Sequence, residues 1–355
     1  DESARYSRHI LIPDIDHIGQ QRIINAKVLC IGAGGLGSPT IMYLAAAGIG
    51  EIGIVDFDRV DISNLQRQII HNQNDIGKSK AQSAKEKVLQ LNSNVKVNLH
   101  EVRLDTTNAL EIFSTYDLII DCTDNFATRY LVNDAAALLG KPYIWGSIYR
   151  FDGQASVFWS KEGPCYRCLH PTPPPAGSVP SCAEGGVLGV LCGAIGSIQS
   201  NEALKLITGV GNSLLGSLLI YDALDSSYKK VEIKKSTKCP ICNGSQSSLL
   251  PDYEEFCGIG ETITAQELRM KSGHFLIDVR EPDEHAALSI PGAVLIPMGK
   301  FEDGSAFAQI PADKEIILHC RSGVRSAKCL ALLKAAGVKN SKHLKGGIIA
   351  WEESK

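Results

Sequence analysis

The chain has 355 residues, of which 44% are hydrophobic and 21% are charged, and its formal net charge is −3. This composition is typical of a globular protein with a sizeable core in one to three domains. It shows no basic excess that would indicate nucleic-acid binding, and no apolar run as long as the roughly 18 residues of a membrane-spanning helix.

The first 150 residues alternate between helix and strand patterns. Residues 1–25 are predicted to be helical. Short apolar runs predict buried strands, and the segments between them predict helices. The predicted strands are at 27–31, 52–55, 95–102 and 117–121, and the predicted helices are at 38–47 and 78–91. This alternation predicts an α/β fold, a parallel sheet with helices on both faces.

The pattern changes near Tyr143. Alternating apolar residues from Tyr143 to Trp159 favour antiparallel strands, and a Pro- and Gly-rich loop is predicted over 171–189. The later elements predicted here are a helix at 193–207 and two strands near the sheet edge at 218–222 and 230–233.

A change in composition near residue 243 predicts two domains. A first domain over 1–242 is followed by a polar and then acidic stretch at 243–257, which predicts a linker. A second, small α/β domain is predicted over 258–355. Its clearest elements are strands at 275–278 and 315–319 and a helix at 326–336.

The cysteine content indicates a reducing compartment. The polar residues from Asp1 to Arg8 are not typical of a secretory signal. Eleven cysteines in such a chain favour metal binding or catalysis by reduced thiols over a disulfide framework. We therefore expect a cytoplasmic protein that binds neither nucleic acid nor a membrane.

A glycine-rich turn predicts a nucleotide site. Gly32-x-Gly34-x-x-Gly37 follows a predicted strand and opens a predicted helix, and Asp56 ends the next strand. The glycines let the backbone approach a phosphate at the helix N-terminus, and the acid suits ribose hydroxyls. By itself the motif is also compatible with a tight turn without a ligand, and NAD and ATP share it.

Polar residues after Asp56 favour ATP. Hydride transfer has no use for many phosphate-binding groups such as Asn64, Arg67 and Lys80, whereas a reaction that develops charge on a triphosphate does. Asp124 follows a predicted strand, at the edge where open α/β sheets bind ligands, and suits Mg²⁺. The alternative for each charge is a solvated surface residue.

Four cysteines predict a metal site. Cys165 and Cys168 form one Cys-x-x-Cys pair, and Cys239 and Cys242 form another. Four thiolates suit a structural, tetrahedral zinc ion, which would connect the base of the long loop to the end of the first domain. Unligated reduced cysteines and a redox-active pair are the alternatives.

Cys320 is a candidate nucleophile in the second domain. It opens a loop between an apolar strand and a helix, where backbone N–H groups form an anion nest that would stabilise a persulfide; Arg321 and Arg325 are expected to add positive charge. A tyrosine-phosphatase loop would need arginine where Ser326 stands. The shorter loop favours a small sulfur anion over a phosphate.

Residues 1–242 resemble the MoeB/ThiF family, bacterial relatives of ubiquitin-activating enzymes. The motifs that carry the resemblance are Arg5–His9, Gly32–Gly37, Asp56–Asp58, Ser63–Gln68 and Asp121–Asn125. The resemblance implies a Rossmann-like ubiquitin-activating-enzyme fold with a zinc clip. It also implies that ATP adenylates the C-terminal glycine of a ubiquitin-like sulfur-carrier protein, which ends in Gly-Gly.

The resemblance also implies roles for single residues. The expected contacts to ATP and its magnesium are Arg8, Gly35, Asp56, Ser63, Asn64, Leu65, Gln66, Arg67, Lys80, Asp124 and Asn125. Arg67 and Asp124 are also expected to be catalytic. Arg8 would reach the ATP of a partner subunit, which implies a homodimer. Cys182 matches a family cysteine that forms a thioester or disulfide with the carrier or sulfur donor; an idle loop thiol is the alternative.

Residues 258–355 resemble a single rhodanese domain. The matching motifs are Ile277–Pro282, Ile290–Ala293, the Cys320 loop and Gly346–Trp351. This resemblance implies that Cys320 takes sulfur from a persulfide donor and delivers it to the adenylated carrier, giving a thiocarboxylate. Asp278 and Arg280 are expected to support the fold rather than react.

Three other functions and several pathways stay open at this point. An NAD-dependent oxidoreductase with a structural zinc, a non-catalytic scaffold for a ubiquitin-like partner, and a ubiquitin-like conjugation activator each use part of this pattern. The cluster around Arg67 argues against the first, and the second domain argues against the third. Molybdenum-cofactor biosynthesis, thiamine biosynthesis, cysteine biosynthesis and tRNA thiolation all use such carriers.

Overall fold

The computed structural model describes residues 2–174, 186–257, 262–338 and 340–354. The described residues form two compact units, the first of residues 2–172 and 186–251 and the second of residues 252–257, 262–338 and 340–354 together with 173–174. None of the helices in these described ranges combines the length and the hydropathy that crossing a membrane requires.

The first unit is a mixed sheet with helices on its faces. Its helices are α1 (Glu2–Arg5), α2 (Ser7–Ile10), α3 (Asp16–Asn25), α4 (Gly37–Ala47), α5 (Lys80–Leu91), α6 (Ala109–Ser114), α7 (Phe126–Leu138), α8 (Tyr166–Leu169) and α9 (Gly189–Thr208). Its strands are β1 (Lys27–Ile31), β2 (Glu51–Val55), β3 (Lys96–His100), β4 (Leu118–Asp121), β5 (Tyr143–Tyr149), β6 (Asp152–Phe158), β7 (Ser217–Asp222) and β8 (Ser227–Glu232).

The sheet has the order β3-β2-β1-β4-β5-β6-β7-β8. The pairings from β3 to β5 are parallel and those from β5 to β8 are antiparallel. The predicted Rossmann-like parallel sheet and the change to antiparallel strands after Tyr143 are therefore confirmed. Because Ile31 pairs with Val55 and with Asp121, the segments that follow these residues leave the sheet at one edge.

Two details differ from the predicted elements. The helix predicted over residues 1–25 is divided into α1, α2 and α3 by turns, and Asp16 has a φ of +49°. Helix α7 was not predicted. Nine of its 13 residues are buried, so it lacks the polar face that marks a helix at the protein surface.

The second unit is a five-stranded parallel sheet with the order β11-β10-β12-β13-β9. Its elements are α10 (Tyr253–Phe256), β9 (Thr262–Ile263), α11 (Ala265–Met270), β10 (His274–Asp278), α12 (Pro282–Ala287), β11 (Val294–Leu295), α13 (Met298–Glu302), β12 (Glu315–His319), α14 (Val324–Ala335), β13 (Ser341–Leu344) and α15 (Gly347–Glu353). Residues 243–257, predicted as a linker, thus include a helical turn. The predicted domain boundaries stay a prediction.

Helix α9 packs closely on α4 through Gly196. A Cβ atom at this position would lie 2.5 Å from Cγ of Pro39 and 2.7 Å from the carbonyl oxygen of Leu36. Gly193 lies on the same helix, and a Cβ there would meet open space. Substitutions at the two glycines therefore distinguish two effects: close packing, which only Gly196 shows, and the low helix propensity of glycine, which both share.

We expect Gly196→Ala to lower the free energy of unfolding by about 1–3 kcal/mol, because the added methyl group overpacks the contact with α4. Gly193→Ala is the matched control and should be neutral or stabilising by up to ~1 kcal/mol, because alanine favours helix. Urea unfolding of the full chain, followed by far-ultraviolet circular dichroism, measures both. Equal effects of the two substitutions would contradict this packing.

Candidate active sites and metal centre

The glycine turn joins β1 to α4 in a compact arrangement. A Cβ at Gly37 would overlap the carbonyl oxygen of Gly32, so the first turn of the helix lies directly against the loop. A Cβ at Gly35 would lie 2.7 Å from Sγ of Cys192 and 3.6 Å from Cγ of Arg67. Helix α9 and the Arg67 side chain therefore border the turn closely, and only the small glycine fits between them.

Asp56 fixes this turn. Its Oδ2 accepts a 2.8 Å hydrogen bond from the backbone N–H of Ala33, and its Oδ1 accepts one of 2.9 Å from that of Asp58. Burial raises the pKa of Asp56, and the two hydrogen bonds oppose that shift. The carboxylate predicted to bind ribose thus already connects the end of β2 to the glycine turn.

The segment with the predicted phosphate ligands is braced by its own side chains. Oδ1 of Asp61 accepts hydrogen bonds from the backbone N–H and the hydroxyl of Ser63, at 2.8 and 2.6 Å. Oδ1 of Asn64 accepts a 3.1 Å bond from the N–H of Asp61, and Arg67 donates to the carbonyl of Ser63 at 3.0 Å. Leu65 is half-buried and Gln66 is exposed.

Lys80 begins α5 and is held beside the end of β2. Its side chain is only 9% exposed, and its Nζ lies 3.0 Å from Oδ2 of Asp58, a residue to which the sequence analysis assigned no role. The positive charge of Lys80 also acts to lower the pKa of Asp56. Lys78, in contrast, is an exposed residue that pairs with Asp75 and Glu86.

Asp124 and Asn125 are exposed residues at the start of α7. Oδ1 of Asn125 accepts a 2.9 Å hydrogen bond from the N–H of Thr128 and so caps the helix. The buried Arg129, which the sequence analysis missed, donates to the carbonyl of Thr123 at 3.1 Å. This bond connects α7 to the loop after β4. No signal in the sequence distinguished Arg129 from a solvated surface cation.

Asp121 is the last residue of β4, three residues before Asp124. Burial raises the pKa of Asp121, while the positive charge of Arg129 opposes that shift. Its Oδ1 accepts from both the N–H and the hydroxyl of Thr123, and its Oδ2 has no hydrogen-bond partner among the described residues. The loop that carries Asp124 is therefore anchored to the end of β4 through Thr123 and Asp121.

The structure thus brings several predicted ligands to one edge of the sheet. The glycine turn contacts Asp56 and Arg67, and Lys80 reaches Asp58 two residues beyond Asp56. Asp124 follows β4, which is the neighbour of β1. Arg8 is exposed on α2. Cys182 lies outside the described residues.

The four cysteines converge. Sγ of Cys165 lies 3.4 Å from that of Cys239 and 4.0 Å from that of Cys168, which lies 3.5 Å from Sγ of Cys242. All four sulfurs lie within 4.8 Å of one another. Sulfurs at ~2.3 Å from a tetrahedral zinc ion are about 3.8 Å apart, so the donor set could hold zinc.

The polypeptide around these cysteines is firmly held. Arg167, between the first two cysteines, is buried and forms a two-bond pair with Asp134 of α7, at 2.8 and 2.7 Å. The N–H of Ser236 donates to Sγ of Cys168 at 3.3 Å. Cys165 precedes the short helix α8, which the sequence analysis did not predict, but the approach of the second pair distinguishes this cluster from a two-cysteine redox site.

Cys320 lies at the carboxyl end of β12, in the second unit. Its sulfur is buried and accepts a 3.2 Å hydrogen bond from the N–H of Gly323, and the hydroxyl of Ser326 is 3.6 Å away. Gly323 has a φ of +102°, which lets the loop turn back toward the sulfur at the start of α14. The loop can therefore donate hydrogen bonds to an anionic sulfur.

Arg325 is engaged by Glu284. Its two terminal nitrogens donate to the two carboxylate oxygens at 2.6 and 2.7 Å. These hydrogen bonds lower the pKa of Glu284 to about 2. Glu284 therefore offsets the positive charge predicted for Arg325 at the loop, while Arg321 is exposed.

Beneath the loop, Asp278 and Arg280 form a buried pair. Arg280 donates to both carboxylate oxygens of Asp278, with Nη2–Oδ2 at 2.6 Å, and Nδ1 of His285 lies 2.8 Å from the same Oδ2. Burial raises the pKa of Asp278, but hydrogen bonds from Arg280 and the other neighbours outweigh it and the pKa is lowered. The pair is thus engaged within the unit, and the supporting role predicted for it stays a prediction.

Comparison with known proteins assigns both units. The ThiF family profile matches residues 6–241, and the rhodanese-like domain profile matches residues 263–354. The chain belongs to the ThiF family. Membership implies the use of ATP, the nucleotide that the sequence analysis favoured. Both parts are enzyme domains, and the pair fits adenylation followed by sulfur transfer; the chain is an adenylyltransferase and a sulfurtransferase.

Similar proteins carry the same two activities in their names. The probable adenylyltransferase/sulfurtransferase MoeZ of Mycobacterium tuberculosis is 55% identical, over 99% of this chain and 93% of its own length. The adenylyltransferase and sulfurtransferase MOCS3 of Drosophila ananassae is 40% identical, over 99% and 83%. The crystal structure of E. coli MccB with ATP shares the fold, with a TM-score of 0.60, 22% identity, and coverage of 67% and 73%.

We expect Glu284→Gln to lower the stability of the second unit by about 1–2 kcal/mol at pH 7, allowing for partial solvent screening of the pair. A depressed carboxyl pKa stabilises the fold above its unfolded value of 4.5, and this contribution is lost as the pH falls toward about 2. The difference between wild type and variant should therefore shrink between pH 5 and 2.

Glu302→Gln is the matched control, because Glu302 pairs with the exposed Lys328 on the same helix α14 as Arg325. It should change stability by less than ~0.5 kcal/mol. Scanning calorimetry of the full chain across this pH range measures both variants. A pH-independent effect of Glu284→Gln would show that its ion pair is not the cause.

Proposed function

We propose that the first unit adenylates the C-terminal glycine of a ubiquitin-like sulfur-carrier protein, and that the second unit supplies the sulfur that converts it to a thiocarboxylate. The observation that carries the proposal is the contact of Asp56 and Arg67 with one glycine turn, with Lys80 held on Asp58, two residues after Asp56. A similar protein of Thermus thermophilus, 49% identical over 73% of this chain and 98% of its own length, is named a sulfur carrier protein adenylyltransferase.

In the first step, the carrier carboxylate attacks the α-phosphorus of ATP, and pyrophosphate leaves. Arg67, Lys80 and Asn64 would bind the phosphates and stabilise the charge that develops there. Asp56 would accept the ribose hydroxyls, and the backbone around Gly35 would lie along the nucleotide. This step needs positioning and cations rather than a covalent protein intermediate.

Further contacts would complete the nucleotide site. Asp124 and Asn125 offer oxygen ligands to Mg²⁺, which neutralises phosphate charge when bound. Ser63, Leu65 and Gln66 lie in the braced segment that leads to Arg67. Arg8, exposed on α2, would reach the ATP of a partner subunit in a homodimer.

In the second step, a persulfide on Cys320 attacks the acyl carbon of the adenylated carrier, and AMP leaves. The terminal sulfur becomes bonded to the carbonyl carbon, and a second thiol then attacks Sγ of Cys320 to release the thiocarboxylate. Cys182 is the thiol that we propose for this role. The attack leaves Cys182 and Cys320 joined by a disulfide, which a cellular dithiol would reduce to two thiols while it is itself oxidised to a disulfide. A cytoplasmic persulfide donor would then reload Cys320, and molybdenum-cofactor biosynthesis is one pathway that uses such carriers.

Single substitutions should separate the two activities. Arg67→Ala should lower carrier-dependent ATP–pyrophosphate exchange by about a hundredfold or more, because the charge on the phosphates loses a partner. It should leave transfer of sulfur from thiosulfate to cyanide unchanged. Cys320→Ala should abolish transfer of sulfur from thiosulfate to cyanide and leave carrier-dependent ATP–pyrophosphate exchange unchanged. Loss of both activities in either variant, or exchange without any carrier, would contradict this division of labour.

We also propose that Cys165, Cys168, Cys239 and Cys242 hold a structural zinc ion. The purified wild-type chain should then contain about one zinc per molecule, and Cys239→Ser should lose most of it, because three thiolates remain of four. Cys329→Ser, a buried cysteine of the second unit, is the control and should retain the zinc. Elemental analysis by mass spectrometry measures the zinc content. Equal zinc content in wild type and Cys239→Ser would contradict the proposal.

A further inference from the structure

His71 is buried close to the glycine turn and uses both of its ring nitrogens. Its Nε2 lies 2.9 Å from the carbonyl oxygen of Ala33, and its Nδ1 lies 2.9 Å from the hydroxyl oxygen of Ser83. Only a donor can serve the carbonyl, so Nε2 carries the hydrogen and Nδ1 accepts from the hydroxyl. Burial lowers the pKa of His71, which favours this neutral ring.

The first of these bonds completes the restraint of one residue in the turn, Ala33. The N–H of Ala33 donates to Oδ2 of Asp56, and its carbonyl accepts from His71. Both polar groups of Ala33 are therefore fixed by side chains from two other segments of the chain. The adjoining Gly34 and Gly35, whose backbone would approach the nucleotide, inherit that restraint.

The second bond reaches the helix that carries Lys80. Ser83 lies three residues after Lys80 on α5, and residues at this spacing share a helix face. Ser83 is fully buried and the Lys80 side chain nearly so. His71 thus connects the glycine turn to the element from which the phosphate-binding lysine projects.

We propose that His71 is a positioning residue for adenylation: it sets the distance between the glycine turn and Lys80 through Ala33 and Ser83. This inference rests on the adenylation proposed for this site. His71 does not need to touch the nucleotide. Small errors in the placement of binding groups cost large factors in rate, so a link between the two phosphate-binding elements would matter even from outside the pocket.

Two conservative substitutions of His71 remove its two hydrogen bonds one at a time. The amide nitrogen of glutamine can take the place of Nε2, whereas the amide oxygen of asparagine can take the place of Nδ1. His71→Gln therefore keeps the bond to Ala33 and loses that to Ser83, and His71→Asn does the opposite. Ser83→Ala removes the second bond without changing His71.

Carrier-dependent ATP–pyrophosphate exchange by the full chain tests the inference. His71→Asn should raise the KM for ATP about tenfold, because the turn is released, and His71→Gln should leave KM within about threefold of wild type. His71→Gln and Ser83→Ala should each lower kcat about threefold or more, because Lys80 is released. The double variant His71→Gln/Ser83→Ala should lower kcat no further than either single variant, because the two substitutions remove the same hydrogen bond.

The controls distinguish a failure of the positioning role from a failure of the proposed adenylation. Sulfur transfer from thiosulfate to cyanide, measured on the same preparations, should stay at the wild-type rate. Equal losses in His71→Asn and His71→Gln, or wild-type KM and kcat in Ser83→Ala and both His71 variants, would overturn the positioning role. A wild-type chain without carrier-dependent exchange would instead contradict the proposed function itself.

Discussion

The hydrogen bond from the N–H of Ala33 to Asp56 joins two neighbouring strands at the point where both leave the sheet. Because β1 and β2 are parallel and in register, the glycine turn and Asp56 start from adjacent positions. The bond converts that proximity into a fixed geometry. Arg67 then approaches the turn from one side, and Lys80 approaches Asp58 from α5. The proposed chemistry depends on this arrangement, because adenylation needs several groups around one chain of phosphates.

The second unit places its nucleophile at the carboxyl end of a strand in a fully parallel sheet. A persulfide needs hydrogen-bond donors and protection from water, and the loop after β12 supplies a backbone N–H and a hydroxyl to a buried sulfur. Two ion pairs hold the surroundings, Asp278 with Arg280 below and Glu284 with Arg325 beside the loop. Polar side chains near the nucleophile are thus mostly engaged with one another, which favours a fixed shape over a strongly positive pocket.

The sequence was informative wherever one local requirement dictates one residue type. Apolar runs marked β1, β2 and β4, and Gly37 is required because any side chain would overlap the carbonyl of Gly32. The two Cys-x-x-Cys pairs indicated their own convergence. These features are short-range, or they involve a residue type with few other uses, so the pattern alone was enough.

Contacts between distant segments were not predictable in this way. Asp58 and His71 look like ordinary polar residues in the sequence, and only the fold shows that they meet Lys80 and Ala33. Helix α7 also escaped prediction, and it buries polar residues such as Asn133 and Asp134 whose partners lie elsewhere in the chain. Glu284 was likewise invisible as the partner of Arg325, 41 residues away.

The central claim is that one polypeptide first energises a carboxylate and then replaces one of its oxygens with sulfur. Mass spectrometry of intact ubiquitin-like carriers, after incubation with the full chain, ATP and thiosulfate, tests it most directly. The account predicts that one carrier gains the mass difference between a sulfur and an oxygen, and only when ATP is present. Unchanged carrier masses with an active, ATP-consuming chain, or sulfur gain without ATP, would contradict it.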